Sequence, residues 1–168
     1  TAAPTAKTWY RVVATSGACS SIASVAVAVT VNQPTAVGSL SALLNTVCKG
    51  ASTTLTLTSA TGTIAWQKAL VTNGVTGTFA AVAGNTTTTL NTGALSATTA
   101  YRVVVSSGVC TTSISEPITI TVSPLSVVKT ITGAGAICNG SSKVLTLATG
   151  SIGTTKWQSN VSDSATAP

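Results

Sequence analysis

The chain has 168 residues, of which eight are basic and two acidic, for a formal net charge of +6; it has no His and no Met. Proton-transfer catalysis draws on His or tuned carboxylates, and calcium sites gather several oxygen ligands. With Glu116 and Asp163 as the only carboxylates, no catalytic, cofactor-binding or metal-ligating residue is expected, and the many hydroxyls have no base to activate them.

Ser, Thr, Ala, Val and Gly dominate what remains. β-branched side chains fit a pleated, half-buried surface, so the composition predicts β structure. In chain order, Tyr10-Arg11-Val12-Val13-Ala14-Thr15-Ser16-Gly17-Ala18-Cys19 comes first, a stretch that recurs later in the chain. Val25–Val31 reads as a strand and stops at Asn32-Gln33-Pro34, where proline ends a strand without needing a donor. It falls far short of the roughly 20 apolar residues that span a bilayer, and no other run approaches that length. No membrane insertion of this segment is expected.

From Pro34 onward the period-2 pattern predicts about seven strands. Val37–Cys48 is a first strand, broken near Leu43. Lys49-Gly50-Ala51 turns the chain into Ser52–Thr58, where Leu55 and Leu57 point inward. Gly62 marks the next turn, and Thr63–Lys68 carries Trp66. Asn73-Gly74 is a strong hairpin dipeptide. Phe79–Val82 and Thr86–Leu90 are shorter strands around Gly84-Asn85, and Ala100–Ser106 and Pro117–Val122 are the last two long ones.

The pattern then restarts. Tyr101-Arg102-Val103-Val104-Val105-Ser106-Ser107-Gly108-Val109-Cys110 echoes Tyr10 through Cys19 at an offset of 101 − 10 = 91 residues. Trp66 and Trp157 are also 91 apart, and Cys48 and Cys138 are 90 apart. A period near 90 is too long for a solenoid and matches one small β-sandwich. The chain is therefore read as three pieces: 1–33, the C-terminal part of one repeat; 34–124, a complete repeat; and 125–168, the N-terminal part of a third. On this reading the chain opens inside a repeat, and any targeting signal is expected to lie outside it. Joints as short as Asn32-Gln33-Pro34 and Ser123-Pro124 favour a semi-rigid rod over a flexible string.

About seven strands with turns between them is the pattern of an immunoglobulin-like or fibronectin III-like sandwich. Trp66 falls where such a sandwich buries an aromatic. Leu95 to Tyr101 resembles a tyrosine corner, and Pro4 to Tyr10 repeats it. Trp66, Trp157, Tyr10 and Tyr101 are accordingly expected to be structural core rather than a sugar-stacking platform.

The four cysteines, two per repeat, suit an exported, oxidising setting, and three connectivities exist. The within-repeat bond Cys48–Cys110 is expected, with Cys19 and Cys138 pairing outside the chain; closing a loop of about 60 residues, it would contribute roughly 4 kcal/mol through the unfolded state. The other schemes join neighbours (Cys19–Cys48 with Cys110–Cys138) or repeats folded back on each other (Cys19–Cys110 with Cys48–Cys138). Cys48 precedes the second strand rather than lying inside it. The absence of Cys-x-x-Cys spacing argues against zinc. The cations, Lys7 to Lys156, are scattered with no two adjacent, whereas a nucleic-acid binder clusters them on one face; no nucleic-acid partner is expected. Gly133-Ala134-Gly135 precedes no helix and does not read as a phosphate loop. The sequons at Asn85, Asn139 and Asn160 matter only in a host that glycosylates them.

Val47-Cys48-Lys49-Gly50-Ala51-Ser52, Trp66-Gln67, Thr99-Ala100-Tyr101-Arg102-Val103, Ser107-Gly108-Val109-Cys110 and Ile118–Val122, with a restart at Ile137-Cys138-Asn139-Gly140-Ser141, resemble the immunoglobulin-like repeats of large secreted Bacteroidetes surface proteins. The gliding-motility adhesins of the SprB type carry arrays of such repeats. The resemblance implies export by type IX secretion, an extracellular, cell-surface location, and a filament contacting a substratum or polysaccharide. Asp163-Ser164-Ala165 resembles the O-glycosylation motif of that phylum and would make Ser164 a glycan acceptor. The expected function is the structural stalk of a cell-surface adhesin, whose partners are the neighbouring repeats of the same polypeptide together with surface polysaccharide or other surface proteins. The alternatives are a carbohydrate- or protein-binding module using loops such as Thr72–Gly77 or Asn85–Thr89, and a non-catalytic accessory of a secreted enzyme.

Overall fold

The computed structural model describes residues 3–159; the Asn160 sequon and Ser164 with its motif lie outside them. The described residues form strands, turns and irregular chain, with no helix among them. In the first segment β1 (Thr8–Tyr10), β2 (Val13–Ala14), β3 (Ile22–Ala23) and β4 (Val27–Val29) make two antiparallel pairs, β1 with β4 and β2 with β3.

The central segment holds β5 (Ser39–Ala42), β6 (Thr46–Cys48), β7 (Thr54–Thr58), β8 (Thr63–Thr72), β9 (Val75–Thr76), β10 (Ala80–Ala81), β11 (Thr89–Asn91), β12 (Thr99–Ser106), β13 (Ser113–Ile114) and β14 (Ile118–Ser123). These build two sheets. One is β11-β7-β5, all antiparallel. The other runs β10-β8-β12-β14-β6, with β13 beside β12 and β9 beside β8. Its only parallel pairing is β14 with β6. The third segment contributes the pair β15 (Ile131–Thr132) and β16 (Thr146–Leu147).

The facing sides of the two sheets close one core, a β-sandwich-like arrangement. β7 alternates Leu55 and Leu57, both buried, with outward Thr. β12 sends Tyr101, Val103 and Val105 inward, and β8 sends Ile64 and Trp66. Trp66 is fully buried, and its indole Nε1 donates to Thr87 O at 2.9 Å, as a buried indole requires. Among the described residues, every buried hydrophobic side chain lies from Val47 to Ile120.

The strand expected over Val37–Cys48 is two strands, and the break near Leu43 is where the chain changes sheets. β5 belongs to one sheet and β6 to the other. Between them Leu43 N donates to Thr54 O and Leu44 N to Thr53 Oγ1. The strand expected over Thr63–Lys68 continues to Thr72, because Asn73 (φ 51°) and Gly74 (φ 79°) turn it directly back into β9. Two positive-φ residues are what a two-residue type I′ hairpin demands. Gly62 (φ 127°) carries the turn before β8; a Cβ there would meet Ser106 O at 2.6 Å.

Registers recur along the chain. Thr8↔Val29 and Tyr10↔Val27 stand 91 residues before Thr99↔Ile120 and Tyr101↔Ile118 (99 − 8 = 91, 120 − 29 = 91). Val13↔Ala23 likewise precedes Val104↔Ile114. Ile131↔Leu147 follows Leu40↔Leu57 by 91 and 90 residues.

Candidate functional site

The two ends of the central sandwich differ in the chain that passes through them. At the end called here the head, the chain arrives. Thr35 Oγ1 lies 2.7 Å from Thr111 O and 2.8 Å from Ser113 Oγ, and Ala36 bridges Thr61. At the other end, the foot, the chain leaves through Ser123. That residue pairs with Cys48, and its carbonyl accepts from Lys49 N at 2.8 Å. Gly50 N donates to Leu95 O at the same end.

The cysteines follow this polarity. Cys110 sits in the turn between β12 and β13 at the head, with Sγ 3.7 Å from Asn32 O. Cys48 ends β6 at the foot. None of the four cysteines is bonded to another in this structure, and the strand pairing sets Cys48 and Cys110 at opposite ends of the sandwich, against the expected Cys48–Cys110 bond. Seven residue steps of β12 separate Thr99, near the foot, from Ser106 at the head, which is about 23 Å at strand rise. Disulfides join Cα atoms ~4.4–6.8 Å apart. The missing signal was the parallel pairing of β6 with β14, which carries Cys48 to the foot; local alternation in sequence does not reveal the partner of a strand.

Of the four aromatics expected in the core, Trp66 and Tyr101 are buried, whereas Tyr10 is 40% exposed and Trp157 59% exposed. The last two lie in segments whose described strands form two-stranded pairs with no second sheet laid over them. Trp9, next to Tyr10, is also exposed, with Lys7 Nζ 5.4 Å from its ring centre. Tyr101 departs from the tyrosine-corner expectation in one respect: its hydroxyl is buried and has no hydrogen-bond partner. Burial also raises its pKa above the ordinary phenol value.

Tyr101 lines a cleft of about 340 Å³ at the mouth between the sheets, together with Lys68, Leu70, Thr78, Leu95 and Thr99. The lining combines one cation, hydroxyls and small apolar groups. It has no carboxylate and no thiol; its polar groups are the Lys68 ammonium, the hydroxyls and backbone. On the sheet surface Arg102 Nε donates to Gln67 Oε1 at 2.7 Å, and its guanidinium lies 4.1 Å from the Phe79 ring centre. That stack braces β8 against β12 and fixes the loop before β10, a contact the sequence reading missed. Arg-x-aromatic spacing across unpaired segments gives no local sign of it.

Asn85, a sequon residue, is engaged in its own loop: Nδ2 donates to Thr89 O, and Oδ1 accepts from Thr87 N and Thr87 Oγ1. Among the described residues no group of His, Cys, Asp or Glu is arranged to hold a metal ion. No described helix is long and apolar enough to cross a membrane.

No curated protein and no solved structure matches the chain. Residues 37–124 match the family described as a domain of unknown function, DUF8696. The match spans 88 of the 168 residues (124 − 37 + 1 = 88). Since it coincides with the two-sheet unit and covers more than half of the sequence, the chain belongs to the DUF8696 family.

Proposed function

We propose that the chain is part of the stalk of a secreted cell-surface adhesin or filament, built from tandem immunoglobulin-like repeats of about 90 residues. The observation that carries this reading is the polarity of the central unit. The chain arrives at the head and leaves at the foot, and both joints are held by contacts rather than left as free linker. At the head Thr35 is tied to Thr111 and Ser113, and Asn32 packs against Gly108 and Cys110. Units threaded end to end in this way extend.

The recurrence of strand register at 90–91 residues supports the tandem reading. The immunoglobulin-like reading is supported by strand order: a first strand that divides between the two sheets, and a last strand pairing in parallel with its second half. The resemblance to Bacteroidetes surface repeats adds type IX export, an extracellular location, a role in adhesion or gliding motility, and surface polysaccharide or other surface proteins as partners of the whole filament. The repeats themselves are non-catalytic on this reading.

Small-angle scattering on chains of one, two and three copies of residues 34–124 tests the stalk. The maximum dimension is expected to grow by a constant increment per copy, roughly 35–40 Å from the strand rise. Growth as the square root of copy number, the behaviour of a flexible string, would remove the stalk reading. A second reading, a carbohydrate-binding module, is favoured by the cleft lined by Lys68, Thr78, Thr99 and Tyr101.

A further inference from the structure

Cys110 reaches the joint residue Asn32, and Cys48 pairs with Ser123, the residue that leads out of the central unit. Asn32 and Ser123 are counterparts, since Thr30-Val31-Asn32 and Thr121-Val122-Ser123 stand 91 residues apart. At the foot, Cys48 is the cross-strand partner of Ser123. In the preceding repeat the counterpart of Cys48 would therefore lie beside Asn32. From the other side of that joint, Cys110 already reaches Asn32, its Sγ 3.7 Å from the carbonyl oxygen. Gly108, two residues earlier, packs so closely on the Asn32 side chain that a Cβ would collide with its amide.

The turns that present these thiols recur as well. Cys110 N donates to Ser107 O at 2.9 Å, as Cys19 N does to Ser16 O at 2.9 Å. Ala51 N donates to Cys48 O at 2.9 Å, as Ser141 N does to Cys138 O at 3.0 Å. Each repeat thus carries one head cysteine (Cys19, Cys110) and one foot cysteine (Cys48, Cys138).

We propose that successive repeats are stapled across their joints by a disulfide between the foot cysteine of one repeat and the head cysteine of the next. Cys110 pairs with the counterpart of Cys48 in the repeat before it, and Cys48 pairs with the counterpart of Cys110 in the repeat after it. The inference rests on the tandem reading above. It explains why two thiols on one sandwich sit at opposite ends, and it gives a joint of two or three residues a covalent brace. Each bond joins two Sγ atoms with loss of two protons and two electrons. The electrons pass to a disulfide-form oxidant, a thiol oxidoreductase or oxidised glutathione, whose own S–S bond opens to two thiols by exchange.

The test completes the first repeat by placing a copy of residues 34–91 ahead of residue 1 of the whole chain, which supplies an upstream foot cysteine. After refolding in a glutathione redox buffer, non-reducing peptide mapping is expected to recover a peptide joining the added Cys48 copy to Cys110. Replacing that added cysteine by Ser should return Cys110 to full alkylation. A bond from the added cysteine to Cys19, or two alkylatable thiols at the joint of a folded chain, overturns the staple. Scattering on the same sample separates the two ideas: an extended particle without the bond removes only the staple, and a particle with no added length removes the tandem reading. The unextended chain gives an independent check. With Cys19→Ser and Cys138→Ser, spin labels on Cys48 and Cys110 should lie beyond about 20 Å, the reach of β12 alone; labels within disulfide range overturn the placement of the thiols at opposite ends.

Discussion

The central unit and its flanks use the same local chemistry with different results. Tyr10 pairs across from Val27 as Tyr101 pairs across from Ile118, yet Tyr101 is 1% exposed and Tyr10 40%. Val103 is fully buried; Val12, its counterpart 91 residues earlier, is 72% exposed. Register is thus a property of the strand pair, set by alternation and by the turn that joins the strands. Burial is a property of the second sheet. In the central unit, β5, β7 and β11 lay Leu40, Leu55, Leu57 and Leu90 over β8 and β12, and only there does the repeated pattern become a core.

The largest expected difference between the regions is at tryptophan. Trp66→Ala removes a fully buried side chain and leaves Thr87 O without its donor. Large-to-small changes of this kind cost about 3–5 kcal/mol. Trp157→Ala removes an exposed side chain and is expected to cost less than about 0.5 kcal/mol. Urea unfolding followed by far-ultraviolet circular dichroism compares the two. Equal losses would mean that the third segment is packed as tightly as the second.

A smaller difference separates two serines in the same role. Ser115 Oγ accepts from Val103 N at 2.9 Å in the core, and Ser24 Oγ accepts from Val12 N at 3.0 Å at the surface. Ser115→Ala strands a buried N–H and is expected to cost about 1–3 kcal/mol. At Ser24 water replaces the lost acceptor, and Ser24→Ala should fall within about 0.5 kcal/mol of zero. Hydrogen exchange at the Val103 and Val12 amides, read together with unfolding midpoints, checks both. An unchanged midpoint in Ser115→Ala would show that another acceptor reaches Val103.

Much of this architecture was legible in residues whose signals are local. Leu55 and Leu57 mark an inward face, and Asn73-Gly74 marks a hairpin. Long-range pairing was not legible. Nothing in Thr46-Val47-Cys48 says that it will pair in parallel with Thr121-Val122-Ser123, because the partner is more than seventy residues away and parallel pairing leaves no turn between the strands. The ends that Cys48 and Cys110 occupy are illegible for the same reason, since they depend on which strand β6 pairs with. The Arg102–Gln67–Phe79 stack escaped on the same ground, since it is made only once β8 and β12 are side by side. Trp66 is fully buried and Trp157, 91 residues later, is exposed, because strand position says nothing of the cover above it.

The finest test of the comparison is at the tyrosine hydroxyl. The Tyr101 phenol is buried without a partner, so it bears a desolvation cost that no hydrogen bond offsets. Tyr101→Phe removes that oxygen and keeps the ring, and it is expected to leave stability unchanged or raise it by up to about 1 kcal/mol. The pH dependence gives a second readout. Burial raises the folded-state pKa of Tyr101 above the unfolded value, so the unfolded chain gives up its proton first. The stability associated with the neutral phenol is complete below the unfolded pKa, near 10. It is lost as pH rises toward the folded value, because over that span the unfolded state binds fewer protons. Urea midpoints measured from pH 8 to 11 should therefore fall in the wild-type chain, and the fall should be shallower in Tyr101→Phe. If the substitution instead lowers the midpoint at pH 8, the hydroxyl has a partner in solution. The cleft that Tyr101 lines would then be filled, and the case for a ligand there would gain over the case for an inert stalk.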